Sequence, residues 1–249
     1  MEQDYVEAAK WTQIAADRGD ARAQFKLGYM YAEGQGVIED LGEAAKWYRK
    51  AGEQSQAIAQ FNLGLMYAEG QGVPEDLGEA AKWYRMAGEQ GEAVAQFNLG
   101  LMYAEGQGVP EDLGEAAKWY QMAAEQGQAK AQHNFGIMYA IGQIVPEDYV
   151  LAHMWLDLSA RQGYASAVGN RDIVAGKMTR EEIAEAKKWR AIGWTSATPR
   201  QRIPRAPRRR RNPAPRRSRN PATRQAAANR SSRRSSWCSS MKNELPSRI

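Results

Sequence analysis

Only one cysteine, Cys238, and two histidines, His133 and His153, occur among the 249 residues. A lone thiol excludes an internal disulfide framework and any zinc or iron–sulfur site built on cysteines, and two imidazoles leave little for other metal centres. Long apolar runs are missing too. The longest stretch free of acidic and basic side chains, residues 131–146, has 16 residues that include His, Asn, Gln and Pro, too short and too polar to span a bilayer. Met1 is followed by Glu2, Gln3 and Asp4 rather than by a basic segment and an apolar run. No secretory or transit signal is read there, and a cytoplasmic location is expected, or a periplasmic one if the true start lies upstream.

The net charge of +5 conceals a division. Residues 195–249 hold 16 of the 34 basic residues and one of the 29 acidic ones, so this tail is +15 (16 − 1) and the rest of the chain −10 (18 − 28). Glycine is absent from the tail, and arginine, serine, proline and alanine dominate, as in Arg208-Arg209-Arg210-Arg211 and Pro213-Ala214-Pro215. Such a segment buries too little apolar surface to offset the entropy of ordering, and is expected to be disordered. Three readings of it stand: an unselected or out-of-frame extension, a nucleic-acid or anionic-surface binder centred on residues 200–234, and a partner for the acidic body.

What the chain does contain is a repeat. Trp11, Trp47, Trp83, Trp119 and Trp155 are spaced 36 residues apart, and residues 41–76 and 77–112 differ only at Lys50/Met86, Ser55/Gly91, Gln56/Glu92 and Ile58/Val94. In one unit, Ala80, Trp83, Tyr84 and Ala87 fall at i, i+3, i+4 and i+7, one face of a helix. Asp76 with Glu79 three residues on predicts a capping box, and Asp4/Glu7, Asp40/Glu43 and Asp112/Glu115 repeat it. Gln90-Gly91 ends that helix. A second helix places Ala93, Phe97, Gly100 and Ala104 on one side with Leu99, Met102 and Tyr103 beside it, and Gly106-Gln107-Gly108-Val109-Pro110 closes the unit. Each unit is therefore a helical hairpin, and hairpins that cannot cover their apolar surface alone must stack into an α-solenoid. Gly28, Gly64, Gly100 and Gly136 sit in helix interiors, where glycine costs about 1 kcal/mol against alanine, so close helix approach is expected there.

The succession Ala-Ala-Lys-Trp-Tyr, Ala-x-x-Gln-Gly, Ala-x-Ala-Gln-Phe-Asn-Leu-Gly-x-Met-Tyr and Gly-x-Gly-Val-Pro-x-Asp resembles the Sel1-like repeat family of bacterial type, a relative of the tetratricopeptide hairpin. The resemblance runs from about Asp4 to Trp189 and implies an all-α fold, a right-handed superhelix of antiparallel hairpins. It divides the chain into four repeats within 1–148 (about 5–40, 41–76, 77–112 and 113–148), a divergent fifth with capping helices over 149–194, and the tail from 195 to 249. Arg171-Asp172 through Met178-Thr179 resembles the closing segment of the family, with Thr179 and Glu182 starting a final helix. No cap precedes Asp4, so either the start is misplaced or the first helix is exposed.

Catalytic signals are weak. The Gly-x-Gly turns follow no strand and continue into no phosphate-binding signature, so they read as loop turns. His133 fills the slot of Phe25, Phe61 and Phe97 and His153 that of Ala9, Ala45, Ala81 and Ala117, both expected to pack rather than to ligate. The recurring carboxylates are explained by helix starts. Cysteine-rich members of the broad family imply β-lactam binding or hydrolysis, but their cysteines are missing. No metal or cofactor is expected.

The function read from this is a non-catalytic scaffold or adaptor that binds a protein or peptide along its concave surface, with nucleic-acid or anionic-surface binding by the tail as the alternative and a β-lactamase-like hydrolase behind both. Two ladders are candidates for the surface. One is Lys46, Lys82 and Lys118 with Lys10, joined by Arg49 and Arg85 and suited to an acidic peptide or a C-terminal carboxylate. The other is Asn62, Asn98 and Asn134, whose amides can bond a peptide backbone. Both ladders also read as solvated faces. Trp47, Trp83, Trp119, Gly64, Gly100, Gly136, Tyr67, Tyr103 and Tyr139 are expected to hold the hairpins together.

Overall fold

The computed structural model describes residues 2–142 and 144–192. The expected disorder and partners of the tail concern residues outside these. Among the described residues there are eleven helices and no strand: α1 (Glu2–Asp17), α2 (Ala21–Glu33), α3 (Leu41–Glu53), α4 (Ala57–Glu69), α5 (Leu77–Glu89), α6 (Ala93–Glu105), α7 (Leu113–Glu125), α8 (Ala129–Ile141), α9 (Tyr149–Arg161), α10 (Ala165–Ala175) and α11 (Arg180–Ile192). Each helix from α1 to α9 packs on the next, and α11 folds back on α9. The architecture is the all-α solenoid of stacked hairpins that the period implied.

The helix starts follow the sequence signal with one change. Asp40 and Asp76 accept from the amides of Glu43 and Glu79 at 2.9 Å, and Asp112 from those of Gly114 and Glu115. The reciprocal half of the capping box does not form. The amides of Asp40, Asp76 and Asp112 already donate to the carbonyls of Tyr31, Tyr67 and Tyr103 across the preceding loop, which releases the glutamates for other partners. The two-way box forms at α11 instead, between Thr179 and Glu182. Asp4 lies inside α1 rather than before it, because Glu2-Gln3 can continue a helix, whereas Pro74, Pro110 and Pro146 break the run before the later caps.

The interior glycines are contact points between one helix and the next. An added Cβ at Gly64 would lie 2.8 Å from Cδ1 of Tyr84, and Gly28 and Gly100 meet Tyr48 and Tyr120 at the same distance. These are junctions of α2 with α3, α4 with α5 and α6 with α7. Phe61 and Tyr84 complete the second of these, with ring centroids 5.9 Å apart. Trp47, Trp83, Trp119 and Trp155 are buried, Trp83 resting beside Gly52 of the helix two before it, while Trp11 is 65% exposed because no described helix precedes α1. Gly136 meets Leu156, which stands where the other junctions have tyrosine.

The Gly-x-Gly loops are more than turns. At Gly72 (φ 68°) a Cβ would come within 2.3 Å of the Leu41 carbonyl at the start of α3, and Gly108 (φ 67°) approaches Leu77 in the same way. The second glycine thus lets the loop lie directly on the preceding helix start. Ile144 holds this place in the fourth loop. No loop carbonyl lies within 4 Å of a Cβ at Gly114, whereas Gly42 and Gly78 each meet one.

Candidate binding surface

Lys46, Lys82 and Lys118 project from α3, α5 and α7 with side chains 68%, 71% and 70% exposed. Each bonds the glutamate one turn earlier, Glu43 and Glu79 at 2.5 Å and Glu115 likewise, and that bond raises the ammonium above its ordinary pKa. The glutamates freed from the capping boxes therefore neutralise the lysine ladder locally. Arg49 and Arg85 point elsewhere. They are half-buried, donate to the hydroxyls of Tyr67 and Tyr103, and lie with the guanidinium carbon 5.6 Å from each ring centroid. They bridge α3 to α4 and α5 to α6, and Gln121 at the same position of α7 donates to Glu125 instead. The structure does not gather the lysines and arginines into one patch.

Asn62, Asn98 and Asn134 are half-buried and face the hydroxyls of Tyr48, Tyr84 and Tyr120 on the preceding helix. Burial pushes the Tyr48 and Tyr84 hydroxyls up to about 12 and raises Tyr120 as well, with the asparagine opposing the shift each time. Asn134 also accepts from His133 Nδ1 at 3.0 Å, and Asn170 donates to His133 Nε2 at 2.8 Å, so the Nδ1–H tautomer satisfies both bonds. His133 is a packing residue, edge-on to Tyr164 at 5.0 Å. Trp47, Trp83, Trp119, Gly64, Gly100, Gly136, Tyr67 and Tyr103 all lie buried in the stack, and Tyr139 is half-buried against it.

Sequence reasoning missed a chain of buried glutamines. Gln24, Gln60, Gln96 and Gln132 each donate to a carbonyl in the last turn of the preceding helix: Ala16, Gly52, Gly88 and Ala124, at 3.1, 2.7, 2.8 and 3.1 Å. Each also accepts from a glutamine at the end of the following helix, Gln54, Gln90, Gln126 or Gln162, at 2.6 to 2.8 Å. The junctions of α2 with α3, α4 with α5, α6 with α7 and α8 with α9 are thus pinned by the same pair, spaced 30 residues apart. The recurrence of Gln at 24, 60, 96 and 132 was the available signal.

The even-numbered helices present a different face. Positions n, n+4, n+7 and n+11 share one side of a helix, and on α4 they are Ile58, Asn62, Leu65 and Glu69, on α6 Val94, Asn98, Leu101 and Glu105, and on α2 Arg22, Lys26, Tyr29 and Glu33. Ile58, Val94 and Tyr29 are 53%, 41% and 42% exposed, and Leu65 and Leu101 are half-buried. The face closes at α8, where Ile137 is buried and α10 packs alongside.

The C-terminal helices are tied by charge. Asp157 of α9 is buried and bonded by Arg161, Arg171 and Arg190 from α9, α10 and α11. Burial alone would raise its carboxyl, but the three guanidiniums outweigh that and hold it below the ordinary value. His153, one turn away, is buried and its pKa is lowered, first by burial and then by Arg171 and Lys187, against the pull of Asp157. Among the described residues no group of three His, Cys, Asp or Glu lies together as metal ligands would, and no helix is long and apolar enough to cross a membrane.

The Sel1 repeat model matches residues 1–20, 21–56, 57–92, 93–128 and 129–164. The chain belongs to the Sel1 repeat family. The matched segments from 21 onward open on α2, α4, α6 and α8, so each of these units pairs an even helix with the odd helix after it, joined by the Gly–Tyr contact in the first three and by Gly136 against Leu156 in the last. Among solved structures, a Sel1 repeat protein from Oxalobacter formigenes is 35% identical, with 73% of this chain and 76% of that one covered and a TM-score of 0.60. The protective antigen c5321 of uropathogenic Escherichia coli, with an SLR fold, is 28% identical over 74% of this chain and 55% of its own, at a TM-score of 0.44. Among curated proteins none matches the chain. Sel1 repeat proteins are typically protein-interaction scaffolds and generally non-catalytic.

Proposed function

We propose that this Sel1 repeat chain is a non-catalytic adaptor that holds a segment of a partner protein across the face shared by α2, α4 and α6. The observation that carries the reading is the row of part-exposed apolar side chains there, Tyr29, Leu65 and Leu101 with Ile58 and Val94, which is longer than the row Ile14, Met86 and Met122 that the odd-numbered helices expose and Lys50 interrupts. Neighbouring exposed apolar groups repeated in register mark an interaction surface rather than scattered exceptions. The odd-numbered helices are less suited to the task, since Lys46, Lys82 and Lys118 are already neutralised by their own glutamates. The test is site-specific photocrosslinking in cells, with a benzophenone side chain in place of Ile58 or Val94 on one face and of Lys46 or Lys82 on the other. Discrete protein adducts should form from the first pair. Adducts from the lysine positions alone would move the site to the odd-numbered helices and refute the reading.

A further inference from the structure

The chemistry of the occupant follows from how charge and apolar surface are arranged along that face, and this step rests on the adaptor reading. Each of α2, α4 and α6 carries its apolar side chain near the middle, Tyr29, Leu65 or Leu101, and a glutamate one turn further on, Glu33, Glu69 or Glu105, at the helix C-terminus. The negative end of the helix dipole adds to each carboxylate. Just beyond the same three ends lie Glu39-Asp40, Glu75-Asp76 and Glu111-Asp112, exposed on the loops. The cations on the face are Arg22 and Lys26, in the first half of α2. Apolar and acidic rows thus run side by side across three hairpins, and they repeat with the same step because the Gln–Gln pairs and Gly–Tyr contacts are the same at each junction.

In the order of packing α3 comes between α2 and α4, and α5 between α4 and α6, so the three rows do not stand on adjoining helices and a single segment that meets all of them runs extended across the stack. We infer that the face binds such an extended segment of a partner protein, one that carries apolar residues interspersed with lysines or arginines. The apolar residues meet Tyr29, Leu65 and Leu101. The cations meet Glu33, Glu69 and Glu105. A basic segment is favoured over an acidic one, opposite to what the lysine ladder on the odd-numbered helices would select.

The probe is a fluorescein-labelled (Leu-Pro-Lys)n peptide of about nine residues, held extended by its prolines, with (Leu-Pro-Glu)n as its charge-reversed counterpart. Both are titrated by fluorescence anisotropy into the full chain, into Leu65→Gln/Leu101→Gln and into Glu33→Lys/Glu69→Lys, with circular dichroism confirming that each variant is folded. The lysine peptide should bind the wild type with an affinity that falls as salt rises. Either double substitution should weaken it about tenfold, and the Glu33→Lys/Glu69→Lys chain should gain affinity for the glutamate peptide. If the Leu65→Gln/Leu101→Gln chain loses both peptides equally and Glu33→Lys/Glu69→Lys changes neither, the basic-segment inference is overturned while the adaptor face stands. If the lysine peptide ignores both double variants, the face is not a binding site and both readings fall.

Discussion

Ser55 is the one described non-glycine residue with a positive φ, at 65°, in the turn between α3 and α4. Glycine fills the same position in the other hairpins, at Gly19, Gly91, Gly127 and Gly163, with φ between 86° and 93°. A Cβ built at any of these four meets nothing within 4 Å, so the cost of a side chain there is one of backbone conformation and not of space. Left-handed backbone costs an L-residue about 1–2 kcal/mol, and glycine returns about 0.5–1 kcal/mol of that through its greater freedom in the unfolded chain. Ser55→Gly should therefore stabilise the protein by about 0.5–1 kcal/mol, and Gly91→Ser should destabilise it by as much. Units 41–76 and 77–112 differ at only four positions, so the two turns serve as controls for each other. Urea unfolding followed by far-ultraviolet circular dichroism reads the change as a moved midpoint at constant m-value, and thermal melting as about 1–4 °C. The combined swap should return close to wild type, because the turns share no partner. A neutral or destabilising Ser55→Gly at unchanged m-value would refute the reasoning and assign Ser55 a stabilising side-chain contact instead.

Two further outcomes are expected. Gly100→Leu should cost about 1–3 kcal/mol in urea unfolding, since its Cβ alone would sit 2.8 Å from the buried Tyr120 ring; stability unchanged within error would show that the glycine does not serve close approach. The lowered pKa of His153 makes the C-terminal helices acid-sensitive, with the sign fixed by linkage: below the unfolded value of 6.5 the unfolded chain takes up a proton that the folded chain resists, so stability falls with falling pH until the lowered folded value is reached. Melting temperature between pH 7.5 and 5.5 should drop more for the wild type than for His153→Ala, the residue found at this slot in the earlier units; equal drops would remove His153 as the cause.

The fold was legible because its signals are local and repeated. A 36-residue period, helix-spaced Ala, Trp and Tyr, and Asp before each odd helix from α3 to α9 are enough to place α3 to α9. What stayed hidden were the long-range polar bonds. Gln60 looks like a surface residue until helix α4 is set between Gly52 and Gln90, and Arg49 looks like a partner of Lys46 until α4 brings Tyr67 beneath it. The capping box misled for a related reason: Asp and Glu spacing is visible along the chain, but the carbonyl of Tyr67 that takes the Asp76 amide comes from across a seven-residue loop, 70–76. The apolar row on the even-numbered helices was hidden in the same way. Charge ladders stand out in a sequence, whereas part-exposed leucines such as Leu65 and Leu101 cannot be told from core until burial is known.

The pinning glutamines also connect stability to recognition. A junction made of a backbone carbonyl, a buried Gln and a capping Gln has direction as well as affinity, so it fixes how far and at what rotation each hairpin sits on the last. An apolar–acidic row spaced by such junctions is preorganised, and little conformational freedom is left to be lost in the protein on binding. Affinity for an extended partner then depends mainly on how much order the partner itself gains on binding, which favours stiff segments over flexible ones. Copying one unit extends the surface without redesign, because Gly64 against Tyr84 and Gly100 against Tyr120 are the same joint. The near-identity of 41–76 and 77–112 therefore lengthens the apolar–acidic row by one step of unchanged chemistry, with Val94 in place of Ile58 as the only difference on that face.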